Sequence, residues 1–68
     1  MRIITEDEAP SLKGLVEVIG TGKLYNKSQA TSVAKKNAGT DTPLLCEYIE
    51  QSSGGRTVKR YLPLVQRI

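Results

Sequence analysis

The chain reads LLCEYIEQSSGGRTVKRYLPLV at residues 44–65, where two apolar runs flank a short stretch of serine and glycine. Adjacent glycines accept the positive φ of a tight reversal, and serines hydrogen-bond the local backbone. The pattern predicts a β-hairpin that turns at residues 52–55. A turn of these four residues sets apolar opposite apolar side chains and acid opposite base, which favours that register. The expected pairs are Leu45 with Leu62, Glu47 with Arg60, and Ile49 with Val58.

A helix is the alternative for the first strand of this hairpin. Thr42-Pro43 suits a helix N-terminus, and apolar residues recur at helical spacing over residues 44–49. Residues 35–50 would then resemble a helix-turn-helix followed by a wing. Pro43 would fall in the middle of that recognition unit, so the hairpin is our prediction.

Three further elements are predicted upstream of the hairpin. They are an edge strand at Arg2–Thr5, a strand at residues 12–19 and a helix at residues 27–38. The helix prediction depends on the capping-box spacing of Asn26 and Gln29, and on Gly39, which stands where a helix ends. Together these elements predict the α+β class: a small β-α-β-β domain with an antiparallel sheet of three to four strands and one helix packed on one face.

A chain of 68 residues is expected to form a single domain with a small core. Residues 1–11 are predicted to be the edge strand followed by a mobile acidic loop, because three consecutive acids and a proline follow Thr5. With one cysteine and no histidine, neither a disulfide nor a zinc site is expected, and we predict no cofactor. Cys46 is interpreted as a core residue in a reducing compartment. Since no membrane span or signal peptide is evident, we expect a cytoplasmic protein.

The sequence holds no motif typical of catalysis. Histidine is absent, and so are a nucleophile elbow, an evident pair of carboxylates and a dinucleotide fingerprint. Gly20-Thr21-Gly22-Lys23 lacks the upstream glycine and the following Ser or Thr of a phosphate-binding loop, so we interpret it as a turn at a strand end. We therefore expect no enzyme activity and no small-molecule substrate.

One face of the predicted sheet repeats an aliphatic-charged-aliphatic pattern. The other face is less charged and includes Cys46, Tyr48 and Tyr61, so we assign it to the core beneath the alanine-rich helix. Because one helix cannot cover both faces, the repeated pattern predicts either a cover from the N-terminal segment or an interface with a second copy or another protein. The candidate interface residues are Leu15, Ile19, Leu45, Glu47, Ile49, Val58 and Leu62.

Charge is distributed unevenly along the chain. The net charge is +3, with −2 in residues 1–22 and +5 in residues 23–68. Basic residues gather near the hairpin tip and on the helix away from its alanine stripe, where they could contact phosphates, and a two-stranded ribbon fits a DNA major groove. The candidate nucleic-acid-binding residues are Arg56, Lys59, Arg60, Lys27, Lys35 and Lys36. The sequence thus predicts a small non-enzymatic binding module for nucleic acid, with a protein-interaction module, including a homodimer, as the alternative.

Overall fold

A computed structural model describes residues 1–18 and 22–67 of the chain. Its elements in chain order are β1 at Arg2–Thr5, a 3-10 turn at Ala9–Ser11, β2 at Leu15–Glu17, α1 at Lys27–Ala38, β3 at Thr42–Gln51 and β4 at Thr57–Gln66. The strands form one sheet in the order β1-β3-β4-β2. The predicted α+β class with one packed helix is confirmed, but the prediction of an antiparallel sheet is wrong for β1, which runs parallel to β3 and makes the sheet mixed. Within the described residues, none of the helices has the length and apolar character needed to cross a membrane.

Helix α1 has the predicted bounds because local residues define both of its ends. The side chain of Asn26 accepts a hydrogen bond from the backbone N of Gln29 at 2.8 Å, which satisfies a donor that the first turn leaves open. Gly39 follows the last helical residue. The buried side chains of the helix are Ala30, Ala34 and Ala38. Such small side chains let the helix lie close to the sheet, so the sheet must supply the bulk of the shared core.

The hairpin of β3 and β4 is confirmed, but its register differs by one residue from the predicted one. The N of Ser52 donates to the O of Arg56 at 2.8 Å, and the N of Gly55 donates to the O of Ser52 at 3.1 Å. The loop between these paired residues therefore holds three residues rather than four. Gly55 has a φ of 75°, the left-handed position that follows the type I turn of such a loop.

The odd loop length shifts every pair of the hairpin. The observed pairs include Leu45 with Pro63, Glu47 with Tyr61, and Ile49 with Lys59. The pairs that the sequence predicted for Leu45, Glu47 and Ile49 are therefore wrong. A shift of one residue also changes which side chains share a face, because side chains alternate along a strand.

The two faces of the sheet are accordingly filled differently from the prediction. On the face beneath α1, called the helix side, Leu45 and Tyr61 form a buried cluster with Ala30 and Ala34. Cys46, which the sequence placed beneath the helix, lies on the opposite face, called the far side. Tyr48 follows it there, whereas Tyr61 lies beneath the helix as predicted.

The N-terminal segment covers part of the far side, which is one of the two alternatives left open by the sequence. After β1 the chain turns at residues 6–8, where the N of Glu8 donates to the O of Thr5 at 3.1 Å, and enters the 3-10 turn. Ala9 and Leu12 then pack against the buried far-side cluster. The members of that cluster are Ile4, Leu44, Cys46 and Leu64.

Strand β2 is shorter than predicted, because Leu12 belongs to the covering segment instead. β2 pairs with the C-terminal half of β4, and the N of Val18 donates to the O of Pro63 at 3.3 Å. The chain returns to β4 at Tyr25, which exchanges two backbone hydrogen bonds with Tyr61, at 2.8 and 2.9 Å. Ile19 of the predicted strand and Gly20-Thr21 of the predicted turn lie outside the described residues.

Candidate nucleic-acid interface

The distal half of the hairpin projects beyond the rest of the sheet. β1 ends with Thr5 opposite Glu47, and along β4 the last paired neighbour is Tyr25, opposite Tyr61. Residues 48–60 beyond this level form a two-stranded ribbon, hereafter the arm. In the part of the chain that the structure describes, no strand lies beside either edge of the arm. From Glu47 to the loop the arm extends about 17 Å, at about 3.3 Å per residue.

The arm carries more basic than acidic side chains. Its charged residues are Glu50, Arg56, Lys59 and Arg60. Lys59 Nζ lies 3.8 Å from Glu47 Oε1, and Arg60 Nε lies 3.9 Å from Glu50 Oε2. The predicted pairing of Arg60 with Glu47 is wrong, because the observed register puts these two side chains on opposite faces. Solvent-exposed ion pairs contribute only about 0–1 kcal/mol, so both cations can exchange their partner for a phosphate.

Arg56 lies at the tip of the arm on a backbone that the loop holds in place. Its carbonyl O accepts hydrogen bonds from Ser52 N at 2.8 Å and from Ser52 Oγ at 3.2 Å. Its side chain is exposed, and it forms no ion pair with any residue in 1–18 or 22–67. A guanidinium in this setting is suited to a bidentate contact with a phosphate or a base edge.

The two faces of the arm differ in chemistry. The helix side presents Ile49, Gln51, Thr57 and Lys59, and the far side presents Tyr48, Glu50, Val58 and Arg60. All four helix-side residues are exposed, and Ile49 is 65% exposed. Among the paired residues of the arm, the helix side thus has one cation and no acid, whereas the far side has one of each.

An acidic turn increases this difference in charge. Residues 6–8 are Glu-Asp-Glu and follow β1 directly at the base of the arm, from where the chain crosses the far side. The pKa values of Cys46 and Tyr48 are raised, first by burial and further by the charge of Glu6. Because Ala9 and Leu12, which follow this turn, pack on the far-side cluster, the turn lies towards that side of the sheet. A phosphate therefore meets more repulsion on the far side of the arm than on the helix side.

Lys27 lies at the base of the arm on the helix side. Helix α1 begins just after Tyr25, whose backbone is hydrogen-bonded to Tyr61 of β4 where the arm starts. Lys27 is three residues before Ala30 and seven before Ala34, so it shares their stripe of the helix. Side chains of a helix tilt towards its N-terminus, which directs Lys27 towards the arm. Nearby, Lys23 Nζ lies 5.3 Å from the centroid of the Tyr25 ring.

Lys35 and Lys36 lie at the opposite end of the same helix. Both belong to its last turn, about 12 Å from Lys27 at about 1.5 Å per residue. There their positive charges interact favourably with the negative end of the helix dipole. The six predicted basic residues therefore do not form one patch: four lie on or beside the arm, and these two lysines lie away from it.

The candidate protein interface also divides between the two faces of the sheet. Leu45, Glu47 and Ile49 lie on the helix side, and Leu15, Val58 and Leu62 lie on the far side. Leu45 is fully buried beneath the helix, whereas Leu15 and Leu62 pack against the far-side cluster. Ile19 lies outside the described residues. The premise that these side chains share one open face is wrong, and Ile49 is the large apolar member that stays exposed.

Sequence reasoning missed Gln51 and Thr57, which face each other on the helix side of the arm. In the predicted register these two residues fall on opposite faces, so they do not form a pair. The Gly54-Gly55 dipeptide was the available signal, because a left-handed glycine after a type I turn gives a loop of three residues.

The single cysteine lies in the core rather than at the arm. Cys46 is buried, and burial raises the pKa of its thiol, which disfavours the reactive thiolate at neutral pH. Among residues 1–18 and 22–67, no group of three or more His, Cys, Asp or Glu side chains is placed to hold a metal ion. The arm, by contrast, presents guanidinium, amine, amide and hydroxyl groups to solvent.

No family model, no curated protein and no solved structure matches this chain. Function is therefore inferred from the geometry and charge of the arm.

Proposed function

We propose that this protein is a small non-enzymatic nucleic-acid-binding module that inserts its arm into a groove of the nucleic acid. The observation that carries the proposal is the projection of residues 48–60 beyond both flanking strands. A double-stranded β-ribbon fits the major groove of B-form DNA, which is about 12 Å wide and about 8.5 Å deep. The arm is longer than the groove is deep, so it can reach the base edges while the body stays outside.

Charge supports the same assignment. Arg56, Lys59 and Arg60 lie along the arm, and Lys27 lies at its base. In a groove, such cations are placed to contact the phosphates on either side, and each contact releases a counterion from the nucleic acid. This proposal puts the protein in the cytoplasm, where a free thiol such as that of Cys46 stays reduced.

The salt dependence of binding tests the proposal. Affinity for a duplex DNA of mixed sequence is measured by fluorescence anisotropy over a series of salt concentrations. The test variant is the double substitution Arg56→Ala and Lys59→Ala on the arm. Its matched control is Lys35→Ala and Lys36→Ala at the far end of the helix. Each double variant lowers the net charge of +3 by two.

The arm variant is expected to bind more weakly and to flatten the slope of log affinity against log salt by about 1.8, at about 0.9 per phosphate contact. The helix variant is expected to keep nearly the wild-type slope, because its lysines lie away from the arm. Equal changes in both variants would show that binding follows net charge rather than the arm. Absence of duplex binding at low salt would refute the proposal.

A second candidate function, protein interaction, is favoured by one observation. Ile49 is 65% exposed on a ribbon whose edges have no neighbouring strand in the described part of the chain. Unpaired edges of this kind can add a strand from another chain or from a second copy. Sedimentation at increasing concentration tests self-association, which Ile49→Glu should weaken. A monomer at every concentration would exclude the homodimer.

A further inference from the structure

We infer that the helix side of the arm faces the floor of a DNA major groove, with Gln51 and Thr57 contacting the edge of an A·T base pair. This inference rests on the proposed function and adds which face of the arm is used and which kind of base pair it recognises.

The first argument is electrostatic. On the helix side, Lys59 is accompanied by Lys27 at the base of the arm. The acid on this side is Glu47, which is partly buried, lies 3.8 Å from Lys59, and accepts a hydrogen bond from Tyr61 at 3.4 Å. Glu47 therefore retains its hydrogen bond from Tyr61 when Lys59 contacts a phosphate.

The far side has the opposite balance. Glu50 lies on the arm itself, and residues 6–8 add three acids beside its base. Arg2 lies 3.9 Å from Glu8, and Arg60 lies 3.9 Å from Glu50, so these two cations are outnumbered by the four acids. Turning this face towards DNA would bring several carboxylates close to the phosphates, which costs binding energy that the helix side does not lose.

The second argument is the chemistry of the helix-side residues. Gln51 and Thr57 are directly opposite each other, and both are exposed. In the major groove, a glutamine amide can bond both N7 and N6 of adenine, and a threonine methyl can contact the methyl group of thymine. These two groups lie on one edge of the same base pair. The far-side pair at the same level, Glu50 with Val58, offers no bidentate partner for adenine.

The third argument concerns shape. Neighbouring strands lie about 4.8 Å apart, so the two-stranded arm with its side chains matches the width of the major groove. Tyr25, just before α1, pairs with Tyr61 at the base of the arm. The helix therefore covers the helix side of the sheet only up to that level. Beyond that level, none of the described residues covers the helix-side face of the arm, which is open to a ligand.

The test is selection from a pool of duplex DNA with a randomised central segment, followed by anisotropy on the enriched duplex and on its unselected parent. The variants are Gln51→Ala and Thr57→Ala on the helix side, with Val58→Ala on the far side as the neutral control. Circular dichroism checks that each variant keeps the wild-type fold.

The wild type is expected to enrich sequences with at least one required A·T pair. Gln51→Ala should lower the preference for the enriched over the parent duplex by about 5- to 160-fold, the range of one bidentate base contact. It should leave the salt slope unchanged, since no phosphate contact is lost. Thr57→Ala should give a smaller loss, and Val58→Ala should keep the preference.

Different outcomes would overturn the inference and the proposed function. Duplex binding with a salt slope but without enrichment, or a preference that Val58→Ala removes and Gln51→Ala keeps, would overturn the base contact while leaving the arm as a phosphate-binding element. Tighter binding to single-stranded DNA or to an RNA hairpin than to the duplex would overturn the major-groove assignment. Absence of binding to every nucleic acid at low salt would remove both.

Discussion

Gly14→Ala is expected to destabilise the fold more than Gly55→Ala, although the two glycines have nearly the same φ, 77° and 75°. An alanine at either position must adopt the left-handed region, which costs about 1–2 kcal/mol. Among residues 1–18 and 22–67, nothing lies within 4 Å of the position that a Cβ would take at Gly55. The loop variant should therefore lose about 1–2 kcal/mol of unfolding free energy and no more.

Gly14 differs because the backbone of Arg67 passes directly against it. Its carbonyl O accepts a hydrogen bond from the N of Arg67 at 2.9 Å, and a Cβ at Gly14 would overlap the carbonyl O of Arg67. Relief of that overlap moves the end of β4 away and weakens this bond, worth about 0.5–1.5 kcal/mol, together with the adjoining pair of Leu15 and Gln66. The expected total loss is about 2–4 kcal/mol.

Urea unfolding monitored by circular dichroism measures both variants against the wild type. The slope of unfolding free energy against urea should be unchanged, so the difference appears as a lower midpoint for Gly14→Ala. Equal midpoints for the two variants would refute the reasoning, because they would mean that the end of β4 does not pack on Gly14.

Three other outcomes follow from the burial and pKa of single residues. Leu45→Ala should lower the free energy of unfolding by about 2–5 kcal/mol, because Leu45 is fully buried beneath the helix. Ile49→Ala should lower it by less than about 1 kcal/mol, because Ile49 is 65% exposed on the same face. Similar urea midpoints for the two variants would contradict the observed register. Tyr61→Ala should lower the free energy of unfolding by about 3–5 kcal/mol, because the ring is buried. Tyr61→Phe loses only a long hydrogen bond to Glu47 and should lower it by less than about 1 kcal/mol. A large effect of Tyr61→Phe would show that the hydroxyl matters more than the ring. Burial raises the pKa of Cys46 above its ordinary value of 9.0, so above that pH the unfolded chain binds fewer protons than the folded one, and stability should fall as the pH rises. Cys46→Ala should reduce the steepness of that fall in urea midpoints measured from neutral to alkaline pH, and an identical pH dependence in both proteins would count against a buried thiol.

The features that could be predicted from the sequence are those determined by neighbours along the chain. Helix α1 begins and ends where expected because Asn26 bonds the N of Gln29 and Gly39 ends the last turn, and both interactions span only a few residues. The edge strand Arg2–Thr5 and the presence of a hairpin centred on glycines follow from similarly local preferences. The clustering of basic residues near the hairpin tip could also be predicted, because these residues are close together in the chain.

The register and the faces depended on contacts that the sequence pattern does not encode. Gly54-Gly55 permits a loop of three or of four residues, and this difference of one residue gives Ile49 and Gln51 different cross-strand partners. Leu44 and Leu45 are adjacent and both apolar, so alternation cannot tell which of them faces the helix. Packing decides: the alanine stripe of α1 takes Leu45 with Tyr61, and Ala9 and Leu12 from the N-terminal segment pack against the cluster that contains Leu44.

The candidate site shows the same division between local and tertiary causes. The sequence alone determined that a basic hairpin would exist, because turn chemistry and charge are properties of adjacent residues. Only the tertiary structure decided that Lys35 and Lys36 lie away from the arm, that Gln51 and Thr57 face each other, and that the acids of residues 6–8 lie towards its far side. These placements follow from the burial of apolar side chains far apart in the chain, since that burial determines which elements pack together and which residues they leave in solvent.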